Sequence, residues 1–165
     1  MQFKKVEKND LSTVKRLSKF AAEIVKKHFD PIIGPEQNDY MINMFLSPES
    51  ITEQLKEGYQ YYFVHDDQGK DLGFLAFYPK EEEMYLSKFY LKEEARGQGL
   101  SRKMLDFVIQ NAKKKGLEYI SLNVNKNNDA IKAYQKLGFE KTGEQKKDIG
   151  SGFYMDDYVF QYKID

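Results

Sequence analysis

Gly97 and Gly99 stand two residues apart in Arg96-Gly97-Gln98-Gly99-Leu100-Ser101-Arg102, between a strand-like run at 84–91 and the start of an amphipathic helix. A glycine turn in that place lets several backbone N–H groups converge on one point, and the helix start behind it adds partial positive charge. The chemistry this suits is binding of a phosphate or pyrophosphate. Of the chain's three arginines, two, Arg96 and Arg102, flank the turn. Arginine is the side chain best shaped for bidentate phosphate contact. Arg102 and Lys103 fall in the first helical turn, where the macrodipole disfavours cations and a bound anion would relieve them. The competing reading is a tight strand-to-helix turn with solvated basic residues.

Four other places carry reactive or recognising groups. In 127–139, Asn127 reads as the N-cap of a short helix. Tyr134 shares a face of that helix with Ala130 and Leu137, the pattern of a packed aromatic. Near the end of the chain, two adjacent carboxylates, Asp156 and Asp157, interrupt an aromatic-rich strand that also holds Tyr154. Alternation puts one on each face, and a carboxylate facing inward needs a partner. It can line a pocket for a cationic amine walled by tyrosines, or it can close the sheet through an internal hydrogen bond or ion pair. Glu81 to Glu83 read as a solvated turn. His65, at the end of a strand, reads as a surface or satisfied core histidine.

These groups need a scaffold, and 165 residues suit a single domain over 1–165 with one core. Hydrophobic residues make up 41% and aromatics 15%, enough to pack an interior and argue against disorder. The net charge is zero, so no global field draws nucleic acid or a membrane surface. The absence of cysteine excludes disulfides, thiolate metal sites and a cysteine nucleophile. The two histidines, His28 and His65, match no metal-ligand spacing, so no metal is expected. No run has the length of a membrane span, and the first residues are too few and too charged for a signal peptide. The expectation is a soluble cytoplasmic protein.

Periodicity orders the elements. A short strand at 2–7 precedes a helix from Asp10 to about His28, with Leu11, Val14, Leu17, Ala21, Ile24 and Val25 at helical spacing. Asp30-Pro31 and Gly34-Pro35 read as a loop. Helices follow near 36–46 and 48–57, the second with Ser50 and Glu53 as a capping box. Strands at 59–65, 72–78 and 84–91 are joined by turns. The helix after the glycine turn ends near Gly116, and a strand at 119–124, a helix at 128–137 and two strands near 139–147 and 152–163 complete the chain. Strand 84–91, helix and strand 119–124 form a βαβ unit, which requires a parallel pair. Ligands in such sheets bind beyond the carboxyl ends of the parallel strands, where the glycine turn lies.

Taken together, Phe89-Tyr90-Leu91-Lys92-Glu93-Glu94-Ala95-Arg96-Gly97-Gln98-Gly99-Leu100 resembles the acetyl-CoA-binding motif of the GCN5-related N-acetyltransferase (GNAT) superfamily. Arg96 and Gly99 match its pattern, and Ser101 departs at the last position while remaining small. Asn127 through Phe139, with Ala130, Tyr134 and Leu137-Gly138-Phe139, is similar to the family's second CoA-contacting motif. The resemblance implies a mixed α/β fold: a mostly antiparallel sheet of six to seven strands with a central, splayed parallel pair and about four to five flanking helices. It implies acetyl-CoA as cosubstrate, its pantetheine pairing with the backbone of Phe89 and Leu91 beside Tyr90. Its pyrophosphate would lie on the N–H groups of Gly97, Gln98, Gly99, Leu100, Ser101 and Arg102, with Arg96 and Asn127 alongside.

The implied reaction is direct attack of a neutral amine on the thioester, with a backbone N–H near Leu91 polarising the carbonyl. Tyr134 would protonate or hydrogen-bond the departing thiolate. A phenol still carries its proton where a thiol ionises, reference values being about 10 and about 8.5. Glu83 is a candidate base through water. Tyr40, Tyr154, Asp156 and Asp157 are the candidates for contact with a small primary amine, a polyamine among them, and 29–58 would cover the acceptor side. Protein N-terminal or lysine acetylation, and a non-catalytic CoA-binding module, are the alternatives. Many relatives are dimers, so a homodimer is compatible.

Overall fold

The structure is a computed structural model that describes residues 1–165. In chain order its elements are β1 Gln2–Lys5, α1 Leu11–Ile33, α2 Pro35–Leu46, α3 Pro48–Lys56, β2 Gln60–His65, β3 Asp71–Lys80, β4 Glu83–Leu91, α4 Leu100–Lys114, β5 Tyr119–Asn125, α5 Ala130–Leu137, β6 Glu140–Gly150 and β7 Phe153–Lys163. A 3₁₀ turn, Glu93–Ala95, which the periodicity did not disclose, lies between β4 and α4. The seven strands take the order β1-β2-β3-β4-β5-β7-β6 in one sheet. Only β4 and β5 are parallel, in the mixed α/β arrangement expected from the βαβ unit. The parallel register runs from Glu83↔Tyr119 through Tyr85↔Ser121. β4 continues to Leu91 and β5 to Asn125 beyond those three pairs.

The chain divides into two compact units: 1–78 with 88–98, and 79–87 with 99–165. In the first, β1, β2 and β3 are antiparallel neighbours with a bulge between Val64 and His65. The apolar stripe of α1, Val14, Leu17, Phe20, Ala21, Ile24 and Val25, packs with Ile51, Tyr61, Phe63 and Phe74. Asp10 caps α1 as expected, accepting from the Thr13 N–H at 3.1 Å. The loop expected at Asp30-Pro31 is instead the last turn of α1, which runs to Ile33 and stops at Gly34, φ +85°. A proline so near the end removes one internal hydrogen bond only. The buried Asn38 amide ties this turn down, donating to the Val25 carbonyl at 3.2 Å and to Asp30 Oδ1 at 2.7 Å. The cap of α3 is Ser47, whose hydroxyl accepts from the Ser50 N–H at 3.2 Å, with Pro48 at the first helical position. The expected box of Ser50 and Glu53 therefore sits one turn too late.

The second unit buries Met104, Leu105, Val108 and Ala112 of α4, as their spacing predicts, together with Met84, Ile120, Leu122, Leu137, Phe139 and Phe160. β5 pairs antiparallel with β7 from Tyr119↔Lys163 to Asn125↔Asp157 without a register shift. The ring of Tyr162 on β7 meets Phe139, just past α5, at 5.5 Å. Strand alternation then puts Tyr158, Phe160 and Tyr162 on the face toward α5, and Asp157, Val159 and Gln161 on the opposite face.

Candidate functional site

The glycine turn has the geometry its composition suggests. Gly97 and Gly99 both have positive φ, +75° and +76°, a region other residues enter only with strain. Gly99 is itself the N-cap of α4 in left-handed conformation, and no side chain caps this helix. No acidic residue occupies the first turn either. The opening N–H groups of α4 are thus left for an external acceptor. Neither glycine has a heavy atom within 4 Å of where a Cβ would lie, so it is the backbone angle, and not crowding, that selects glycine. Both flanking arginines are engaged within their own unit. Arg96 donates from Nε and a terminal nitrogen to the Leu91 carbonyl at 3.3 and 3.2 Å. Arg102 donates to the Leu137 carbonyl at 3.2 Å, joining α4 to the end of α5.

The end of β4 that carries Phe89, Tyr90 and Leu91 is held by β3. A Cβ built on Gly73 would lie 2.1 Å from the Tyr90 carbonyl oxygen and 3.1 Å from Leu91 Cα. The Lys92 N–H donates to the Leu72 carbonyl at 2.8 Å beside it. Sequence reasoning passed over Gly73, although a glycine inside a strand is a recognised sign of close backbone approach. It also passed over Lys88, whose ammonium burial pushes down to about 8. Tyr90 stacks on Phe74 at 5.4 Å within the core of the first unit. Tyr40, partly buried on α2, also belongs to this unit.

In the second unit, α5 begins at Ala130 and not at Asn128, so Asn127 is not its cap. The Asn127 N–H donates to Asn125 Oδ1, and the buried Asn128 Oδ1 accepts from the Ala130 N–H, each at 2.9 Å. Asn125 and Asn128, on either side of Asn127, each make such a local turn, which is why the sequence misplaced the cap. Tyr134 lies on α5 with its ring edge-on to Phe139 at 5.8 Å. Burial of its phenol pushes the pKa up to about 12.

The carboxylates of β7 separate as alternation requires. Asp156 pairs with Lys126 at 3.2 Å. Asp157 is 5% exposed and bonds to Asn123. Burial raises its pKa to about 6, against the Asn123 bond and with the help of the Asp156 charge. Tyr154 is half exposed near the hairpin tip, with Lys146 Nζ 5.0 Å from its ring centroid. Glu83 accepts from Gln161 Nε2. In the first unit, buried His65 places Nε2 2.7 Å from Asp71 Oδ1, within ion-pair distance but outside hydrogen-bond geometry.

The acetyltransferase (GNAT) domain family matches residues 29–155, more than three quarters of the chain. The chain belongs to the GNAT family. An uncharacterized N-acetyltransferase of Bacillus subtilis, YdgE, is 30% identical over 101 residues, 57% of this chain. The GNAT chain spans 64% of the length of that relative and between 39% and 44% of two others that it matches. Among solved structures, the PaiA N-acetyltransferase of Thermoplasma acidophilum, in complex with coenzyme A, has a TM-score of 0.75 and 21% identity, covering 98% of both chains. The spermidine N-acetyltransferase of Vibrio cholerae, in complex with CoA and spermine, has a TM-score of 0.65 and 16% identity, covering 99% of this chain and 95% of the other. At these identities the likeness is one of fold, with the element order and single parallel pair that the GNAT resemblance implied.

Proposed function

We propose that the chain transfers the acetyl group of acetyl-CoA directly to a primary amine of a small molecule, a polyamine being the leading class. The observation that carries the donor half is the uncapped start of α4 behind two positive-φ glycines. That arrangement is suited to a pyrophosphate, because no side chain of the protein takes up the opening N–H groups of α4. The residues assigned to the donor are Phe89, Tyr90 and Leu91 for pantetheine, 96–102 for pyrophosphate, and Asn127. The bonds of Arg96 and Arg102 to carbonyls leave each further N–H donors, since a guanidinium carries five.

Acetyl-CoA supplies an activated thioester. A neutral amine adds to its carbonyl carbon, the C–N bond forms, the C–S bond breaks, and the proton lost by nitrogen balances the one gained by sulfur. Tyr134 is assigned to the departing sulfur. With a pKa of about 12 its phenol keeps its proton throughout the neutral range. The same value makes full transfer to a thiolate uphill, so the role it favours is a hydrogen bond to the developing negative charge. The acceptor half rests on the GNAT relationship and on the acidic and aromatic residues Tyr40, Tyr154, Asp156 and Asp157.

The test is release of free CoA thiol from acetyl-CoA with a panel of mono-, di- and polyamines beside N-terminal and lysine peptides. The expected result is turnover on small amines. Turnover on peptides alone would move the acceptor to protein, and tight binding without turnover on anything would leave a CoA-binding module.

A further inference from the structure

Asp157 is the only carboxylate in the buried set of side chains, in a chain with 26 acidic residues. A buried anion is stabilised by a cation or is driven neutral. Its neighbour Asp156 has taken the local ammonium, Lys126. Its partners on the two neighbouring strands are polar and uncharged. Asn125 is directly opposite on β5, Gln145 directly opposite on β6, and Asn123 is one diagonal step away. Asn123 donates both to Gln145 Oε1 at 2.7 Å and to Asp157. Lys147 of β6 is diagonal to it by register and exposed. The charge that acts on Asp157 is that of Asp156, which repels.

The position matters as much as the charge. Asn125 is the last residue of β5, so Asp157 lies at the carboxyl end of a parallel strand, where α/β sheets bind ligands. Its side chain is on the face opposite α5, whereas Tyr134 is carried by α5 itself. Within the second unit, the group assigned to the leaving sulfur and the lone buried carboxylate thus belong to opposite sides of one strand pair.

We propose that Asp157 is the subsite that takes the acceptor's ammonium and removes its proton before acetyl transfer. This rests on the acetyltransferase reading given above. The step is R–NH3+ with Asp157–COO− giving R–NH2 and Asp157–COOH, and the carboxyl returns its proton to solvent after the acetylated product leaves. The bound ammonium supplies the counter-charge that the fold leaves out, and the neutral amine is the nucleophile. Glu83, the earlier candidate for this role, is held by Gln161.

The sign of the pH effect follows from a folded pKa above the ordinary carboxylate value. Asp157 favours the folded state below the ordinary carboxylate range, and that contribution is lost as pH rises through about 6. Asp157→Asn, which keeps the shape and the Asn123 contact, should therefore raise the melting temperature above pH 6 by roughly 3–6 °C, with the gap closing near pH 4. Spermidine without acetyl-CoA should raise the melting temperature of the wild type at pH 8 and not that of Asp157→Asn. In turnover, the variant should lose on the order of 100-fold in kcat/KM together with the acidic limb of the pH profile. An equal spermidine shift in both proteins, or none in the wild type, overturns the subsite, as does a variant with a lower melting temperature at pH 8. An unchanged pH profile in an active variant overturns the proton transfer. A wild type inactive on every amine removes the acetyltransferase reading instead, and the melting and spermidine measurements still decide Asp157.

Discussion

At the residue scale the chain asks two opposite things of its ionisable groups. Tyr134 is buried enough to stay a phenol, and Asp157 is buried enough to resist staying a carboxylate. In the proposed role of Tyr134, Tyr134→Phe removes one hydrogen bond to a developing anion and little packing. It is expected to lower kcat roughly 10- to 100-fold with CoA affinity changed less than threefold, measured by steady-state kinetics beside titration calorimetry. Asn38 belongs to stability alone. Its amide joins the end of α1 through two bonds, and Asn38→Ala should cost about 1–3 kcal/mol in urea unfolding. Much at this scale was legible from type and spacing, including the division of Asp156 from Asp157 between two faces. Which carboxylate turned inward was not, because that depends on the register with Asn125 and Gln145, residues far apart in sequence. The cap of α5 was not legible either, since Asn125 and Asn128, on either side of Asn127, offer side chains to nearby N–H groups.

Elements are positioned by a few backbone constraints. α4 begins at a left-handed glycine with no side-chain cap, so Gly99→Val must strain the backbone at φ +76° or reshape the turn. The strain alone is about 1–2 kcal/mol, and the expected result is CoA affinity weakened on the order of tenfold or more by calorimetry. Unchanged affinity would remove the turn from the pyrophosphate. Gly73 acts on β4 by a different route. Its missing Cβ makes room for the Tyr90 carbonyl, a backbone atom that cannot rotate away. Gly73→Ala should destabilise the fold by about 1–3 kcal/mol and weaken CoA binding as well, because the edge of β4 moves. The sequence located the glycine turn because strand, turn and helix follow one another in the chain. It missed Gly73 because the atom it avoids lies 17 residues away. The extra turn of α1 past Pro31 has the same origin, a buried amide from the next helix that no local pattern displays.

For the whole molecule, one strand carries the organisation. β4 contributes its first half to the second unit and its last residues to the first, and its parallel ladder with β5 covers three pairs. The fold class and the parallel pair followed from the order of elements, since a strand–helix–strand unit permits little else. The strand order β5-β7-β6 did not follow, because three antiparallel strands can close a sheet in more than one way. The absence of cysteine fits a direct transfer, so intact-mass spectrometry during turnover should find no acetylated intermediate that is consumed when amine is added. The most direct measurement is continuous detection of free CoA thiol from acetyl-CoA and spermidine, with the acetylated amine identified by mass spectrometry. The expected result is one thiol and one N-acetylated amine per turnover. Acetyl-CoA bound by the protein, with no thiol released on any amine or peptide, would contradict the central claim.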